Sequence, residues 1–323
     1  MIMLYINSMD NTITIQNFDI IASNSSYKEI IERFLSAQDI TLKSKQTYQR
    51  ALKQFFLYLQ VVRLENIKRE NLLEYKRSMS ERGLSPYTVS CYITAVRKFF
   101  EWTDSEGLYP NIAKNLKGAK KPKGFRKEAL TVSQVKDVLT IIKRDSIQGK
   151  RDFALLNLLV RTGLRTIEII RSNIGDIKQE GGEAILYIQG KGRETKDDFV
   201  LLTDETLKPI REYLSSRTNI KEEEPLFSSL SCRNNGERLT TRSISRIVKE
   251  SLIEAGLNSS KLTAHSFRHT AVTFCLLGGS TIQEAQSLAR HSNINTTLIY
   301  AHNIERIGNA PERKIDKLLS GII

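Results

Sequence analysis

All four histidines of this 323-residue chain fall between positions 265 and 302: His265, His269, His291 and His302. The same stretch holds Arg268, Arg290 and Tyr300. These side chains share a chemistry. A phenol becomes a nucleophile when a base takes its proton, an imidazole is such a base, and a guanidinium clamps anionic oxygens through paired N–H groups. Taken singly, each histidine has an ordinary structural reading. Taken together, in order and with Tyr300, they read as most of an active site.

Local sequence predicts the elements that carry them. Thr263 is an N-cap for a helix over Ala264–Leu277, stopped by Gly278-Gly279. On it His265, Arg268 and His269 stand at i, i+3 and i+4, on one face and within reach of one ligand. Thr281 opens a second helix with Ile282, Ala285, Leu288 and Ala289 as its apolar stripe, ending near His291. Asn293 caps a short last helix bearing Tyr300 and His302.

Length suits two domains, and 40% apolar with 26% charged residues is ordinary for a water-soluble protein. No apolar run approaches the ~18 residues of a membrane span, and the N-terminus lacks the basic-then-apolar pattern of a secretion signal. Cys91, Cys232 and Cys275 are far apart and odd in number, which gives no disulfide framework or metal spacing and suits a reducing cytoplasm. The net charge of +13 is unevenly placed: residues 25–127 hold 21 Lys and Arg against 10 Asp and Glu. Such an excess suits a polyanion partner, with a solvated basic surface as the bland alternative.

The expected organisation has five parts. Residues 1–24 form an extension without clear period. Residues 25–116 form a small helical domain: a helix capped by Ser25 or Ser26, a second capped by Ser44, a third over Glu70–Arg82, and a long fourth opened by Ser85-Pro86. Their aromatic stripes are expected to be core. Lys43, Lys45, Arg50, Lys53, Arg97 and Lys98 are left on polar faces, as backbone phosphate contacts. Residues 117–127, with two Gly, one Pro and six basic residues including Lys120 and Lys121, form a linker. Residues 128–302 form the second domain, and 303–323 a tail ending in an amphipathic helix.

Within the second domain Arg151–Arg161 is apolar on every side and predicts a core helix ending at Gly163. Arg165 follows on the turn, rigidly held, with Glu168 to orient or neutralise basic neighbours. Ile174–Lys178, Ala184–Gln189 and Asp198–Leu202 predict a three-stranded antiparallel sheet whose second hairpin tip carries Lys191, with Lys196 close by. The fold class is therefore mainly α with a small antiparallel sheet. A helix over Thr240–Ala255 presents Arg242 and Arg246.

Four ordered boxes give this pattern a family likeness: Arg161-Thr-Gly-Leu-Arg165-Thr-Ile-Glu168, Gly190-Lys191-Gly192, His265-Ser-Phe-Arg268-His269, and His291-Ser-Asn-Ile-Asn-Thr-Thr-Leu-Ile-Tyr300. Over roughly residues 25–305 the chain resembles the tyrosine recombinases, the phage-integrase and Xer group. One departure is Ala289-Arg290 before His291, where many relatives carry Leu-Gly; it changes a packing position and adds charge but removes no catalytic group. The resemblance implies an N-terminal helical core-binding (SAM-like) domain and a C-terminal mixed α/β catalytic domain.

It also implies roles. Tyr300 attacks a DNA phosphodiester to form a 3′-phosphotyrosine, with Arg165 and Arg268 as the phosphate clamp. Lys191 acts as general acid, Lys196 being its rival. His265 is proton acceptor or phosphate ligand, His291 a phosphate hydrogen bond, and Glu168 and His269 are supporting groups. Arg242 and Arg246 enter the major groove and are the candidates for reading base edges. No cofactor, metal or small-molecule substrate is expected. The partners implied are duplex DNA with paired short sites and three further copies of the chain, with tails exchanged between protomers. The expected function is integration or excision of a mobile element or phage. Xer-type resolution of chromosome or plasmid dimers is the alternative, and a catalytically silent DNA-binding regulator the alternative from another class. Type IB topoisomerases share the chemistry without needing a partner site.

Overall fold

The computed structural model describes residues 26–62, 67–122, 128–190, 192–308 and 311–320. The expected extension over residues 1–24 and the side chain of Lys191 lie outside the described residues. The chain divides into two compact units after residue 123, within the stretch expected to link two domains.

The first unit contains α1 (Ser26–Ser36), α2 (Leu42–Val62), α3 (Arg69–Glu81) and α4 (Pro86–Ser105). α2 begins a turn earlier than expected. Thr41, not Ser44, is the cap, because its hydroxyl accepts the Ser44 N–H at 3.3 Å. Ser85 caps α4 as predicted, accepting from the Thr88 N–H at 3.2 Å, with Pro86 at the first helical position. Phe34, Phe55, Phe56, Phe99 and Phe100 are fully buried. They meet edge to face, as Phe56 and Phe99 do at 5.6 Å and 88°. At about 2–3 kcal/mol per buried ring these aromatics dominate the hydrophobic stabilisation of a small unit.

Residues 117–122 form neither helix nor strand, yet they are not a free tether. Ala119 O accepts from Ser90 Oγ at 3.1 Å, and Lys117 O accepts from Lys76 Nζ at 2.9 Å. A side chain at Gly118 would come within 2.7 Å of Ser90 Oγ, so the close approach requires glycine.

The second unit is built on α6 (Ile147–Thr162), which carries buried Leu155, Leu156, Leu158 and Leu159 around its circumference. It packs on α8 (Asp204–Leu214) and α10 (Ala264–Leu277). α5 (Val132–Ile141) also packs on α6, and α9 (Thr241–Glu254) packs on α5, α7 (Thr166–Arg171) and α10. β1 (Ile177–Glu180), β2 (Glu183–Ile188) and β3 (Asp198–Leu201) form one antiparallel sheet in the order β1-β2-β3, with Ile177 opposite Leu186 and Ile188 opposite Asp198. The front of the first expected strand, Ile174–Asp176, is a 3-10 turn instead. The Asn173 N–H donates to Asp176 Oδ2 at 2.6 Å and holds it there.

α11 (Ile282–Ala289), α12 (Ile294–Gly308) and α13 (Pro311–Leu319) follow. Thr281 and Glu284 cap α11 reciprocally, at 3.2 and 2.7 Å. The expected division at residue 302 falls inside α12, so Tyr300 lies in mid-helix. His302, two residues on, points to the other side and is exposed while Tyr300 is buried. No described helix is long and apolar enough to cross a membrane.

Candidate active site

Gly163 is the hinge of the site. It ends α6 in the left-handed region (φ 60°, ψ 23°), where glycine alone is unstrained, and a Cβ there would press on Ala271 Cβ at 3.3 Å. Its carbonyl accepts from Arg268 Nη1 at 2.6 Å. The chain then enters α7 with Arg165 as the residue before its first turn. Arg165 Nη1 donates to Glu168 Oε1 at 2.7 Å, while the Arg165 backbone N–H donates to Glu168 Oε2 at 2.7 Å. Glu168 thus caps the helix and fixes the guanidinium with one carboxylate. It is fully buried, and the Arg290 and Arg165 cations with these hydrogen bonds hold its carboxyl below the usual range against the upward pull of burial.

α10 delivers the second arginine. Thr270 anchors this helix by accepting the Leu130 N–H at 2.8 Å and donating to Ser266 O at 2.8 Å. Arg268 is buried and donates to two backbone carbonyls, Gly163 O and Ala289 O. Burial and the neighbouring Arg165 and Arg290 lower its pKa to about 10, so it stays charged at neutral pH.

The phenol comes from α12. Tyr300 is 4% exposed, and its hydroxyl is hydrogen-bonded to His269 Nδ1. Burial raises its pKa to about 12, with the Arg268 cation pulling the other way. The ring of His291 stacks on Tyr300 at 6.3 Å and 23°, and His291 Nδ1 lies 3.0 Å from Thr297 Oγ1. His269 and His291 are both lowered to about 4, first by burial, then by His265 beside His269 and by Arg268 and Arg165 beside His291. Both imidazoles are therefore neutral at pH 7 and able to accept or relay a proton. His265 lies on the exposed side, its ring edge-on to His269 at 4.7 Å.

The structure thus brings together Arg165, Glu168, His265, Arg268, His269, His291 and Tyr300. It reorders two of them: His269, assigned a supporting role on sequence, holds the phenol, while His265 stands one turn further out. Two neighbours were missed. Thr297, fully buried against His291, gave no signal in the sequence. Arg290 stood out only as an added charge. Lys196, the rival to Lys191, is engaged in an ion pair with Asp176. Away from this cluster, Lys43, Arg50, Lys53, Arg97, Lys98, Lys120, Lys121, Arg242 and Arg246 are exposed and Lys45 half-buried. Lys98 pairs with Glu101 at 2.9 Å, and Arg246 with Glu250 at 4.0 Å. Such exposed pairs contribute little and exchange readily for a phosphate.

Residues 128–306 match the phage integrase family, and residues 31–107 match the phage integrase N-terminal SAM-like domain. The tyrosine recombinase XerA of Pyrococcus furiosus is 30% identical over 296 residues, which cover 91% of this chain and 97% of that protein. The tyrosine recombinase slr0733 of Synechocystis is 28% identical, over 80% of this chain and 86% of its own length. Among solved structures, the XerH site-specific recombinase bound to palindromic difH substrate shares the fold with a TM-score of 0.72, at 24% identity over 90% of this chain and 85% of that one. The Tn1549 transposon integrase bound to transposon right-end DNA does so at 0.67 and 18% identity, over 87% of this chain and 98% of that one. The chain belongs to the phage integrase family of tyrosine recombinases, enzymes that cut and rejoin DNA by site-specific recombination.

Proposed function

We propose that this protein recombines duplex DNA through a covalent bond between Tyr300 and a 3′-phosphate. The observation that carries the proposal is the buried Tyr300 hydroxyl on His269 Nδ1 beside the Arg268 cation. A phenol held near 12 attacks slowly unless its proton leaves as the bond to phosphorus forms, and a neutral imidazole on its oxygen is placed to take it. In the step, Tyr300 Oη bonds to phosphorus and its proton passes to His269 Nδ1. The bond to the 5′-oxygen breaks, and that oxygen takes a proton from Lys191. Arg165 and Arg268 clamp the non-bridging oxygens, whose charge grows in the transition state. With Thr297 on its Nδ1, His291 keeps its other ring nitrogen for a phosphate oxygen. His265, on the exposed side, is a phosphate ligand. The phosphotyrosine conserves the bond energy, so rejoining needs no nucleotide.

Lys43, Lys45, Arg50, Lys53, Arg97, Lys98, Lys120 and Lys121 hold the DNA backbone, and Arg242 and Arg246 reach base edges. Four copies assemble on two sites and exchange α13, whose Ile315, Leu318 and Leu319 are exposed. The first reading of the role is integration and excision of a mobile element. Xer-type dimer resolution is the second, favoured by a match that runs along 97% of the Pyrococcus furiosus XerA.

The test is a covalent trap on nicked duplexes from the flanking genome, without added metal. Wild type is expected to give an SDS-stable adduct at a 3′-phosphate and Tyr300→Phe none. His269→Ala slows adduct formation about 10²- to 10⁴-fold, as loss of a general base does. The genomic position of the trapped site, at the ends of a mobile segment or at one chromosomal locus, separates the two roles. Absence of both the adduct and salt-sensitive duplex binding would sink the reading.

A further inference from the structure

Arg290 occupies a position that its residue type does not favour. It ends α11 in the left-handed region at φ 50° and ψ 47°, a conformation that strains a residue with a side chain. A long charged side chain after a surface helix ordinarily extends into water. This one turns inward, and only 9% of it is exposed. Its Nε is buried with no hydrogen-bond partner, a further cost. Both costs are offset by what Arg290 touches.

It touches both halves of the phosphate clamp. Arg290 Nη2 lies 3.1 Å from Glu168 Oε2, the oxygen that also accepts the Arg165 backbone N–H. The same Nη2 lies 3.3 Å from Gly163 O, the carbonyl that orients Arg268, and Nη1 donates to Leu288 O at 2.7 Å. In return Arg165 Nη2 donates to the Arg290 carbonyl at 3.1 Å. Without Arg290, one unit of negative charge on buried Glu168 would offset half the positive charge of Arg165 and Arg268. With Arg290 that carboxylate can hold Arg165 in place while the clamp keeps its full charge for the phosphate.

We infer that Arg290 is a positioning residue for the phosphate clamp, which neutralises Glu168 and fixes Arg165 without itself taking part in bond making. The inference rests on the recombinase reading of the same site.

The test is single-turnover adduct formation by Arg290→Gly, Arg290→Lys and the double variant Arg290→Gly/Glu168→Gln, beside wild type and Tyr300→Phe. Glycine fits the backbone at this position, and thermal melting checks folding of each variant. Arg290→Gly is expected to slow cleavage 10- to 100-fold, with duplex affinity, measured in the Tyr300→Phe background, changed less than 3-fold. Arg290→Lys keeps the charge and retains most of the rate. The double variant restores the clamp's net charge and recovers at least 5-fold over Arg290→Gly, a rescue that a purely structural role would not give. A folded Arg290→Gly cleaving at the wild-type rate overturns the inference, and so does a folded double variant no faster than the single. In both cases wild type still forms its Tyr300-dependent adduct and the recombinase reading stands. Wild type giving neither an adduct nor salt-sensitive duplex binding overturns that reading and this one with it.

Discussion

The two units handle charge in opposite ways. In the first, every described position proposed for DNA contact is an exposed or half-buried Lys or Arg over an interior of phenylalanines. In the second, Arg268, Glu168 and most of Arg290 are buried, and each is held by several named partners. Exposed cations act through a screened field over several ångströms and lose little by letting go of one counterion for another. Buried ones repay their desolvation only if their geometry is fixed beforehand, and that fixed geometry is what stabilises a transition state more than a ground state. The first arrangement suits binding, the second suits reaction.

That contrast can be broken or sharpened by experiment, beginning with the largest effect. Glu168→Ala removes the carboxylate shared by Arg165 and Arg290 and leaves two cations facing each other. It should destabilise the second unit by about 3–5 kcal/mol, the usual cost of breaking a buried ion pair, measured by denaturant unfolding. A loss below about 1 kcal/mol would mean that the cluster behaves like a surface one.

Acid provides the next test. His269 has a folded pKa of about 4 against an ordinary 6.5, so between those values the unfolded chain binds a proton that the folded one refuses. Stability from this group is complete above pH 6.5 and falls as pH drops toward 4. The loss is about 2–3 kcal/mol for a ring this well buried. His291 and Glu168, both also lowered, act in the same direction. Unfolding midpoints of the Tyr300→Phe protein followed from pH 7.5 to 4 would show this slope, and His269→Ala would flatten it.

The smallest effect on stability belongs to the basic face of the first unit. Replacing Lys43, Lys45, Arg50 and Lys53 by Ala should each change stability by less than about 0.5 kcal/mol. Each one that holds a phosphate lowers the salt dependence of duplex affinity by about 0.9 in log–log slope. Fluorescence anisotropy across a salt series would measure it, and an unchanged slope in the fourfold variant would remove α2 from the DNA-binding surface.

Much of this could be read from local sequence, because helix ends and hairpins are local events. Ser85-Pro86, Thr281 and Gly163 mark boundaries where the structure has them. The β-type runs on either side of Gly181-Gly182 pair as strands, Ile177–Glu180 with Glu183–Ile188. The misses were of two kinds. Thr41 took the cap from Ser44, since both residues offer a hydroxyl and only the packing of α2 decides where its first turn starts. The basic, glycine-containing stretch after residue 116 was expected to be loose, yet Gly118 lets it lie against Ser90.

For the cluster, the order of Arg165, His265, Arg268, His269, His291 and Tyr300 and the shared helix face of His265, Arg268 and His269 could be read from sequence alone. Sequence could not determine which of the two histidines meets Tyr300, because i and i+4 on one helix are equivalent until a second helix is laid across them. The placement of α12 made that choice, 31 residues along the chain from His269. Tertiary structure likewise turned Arg290 inward to a carboxylate 122 residues away and drew Lys196 to Asp176. Periodicity and capping act over a few residues and are legible in a string of letters. The charge balance of a buried cluster depends on which elements pack together, and only the folded chain fixes that.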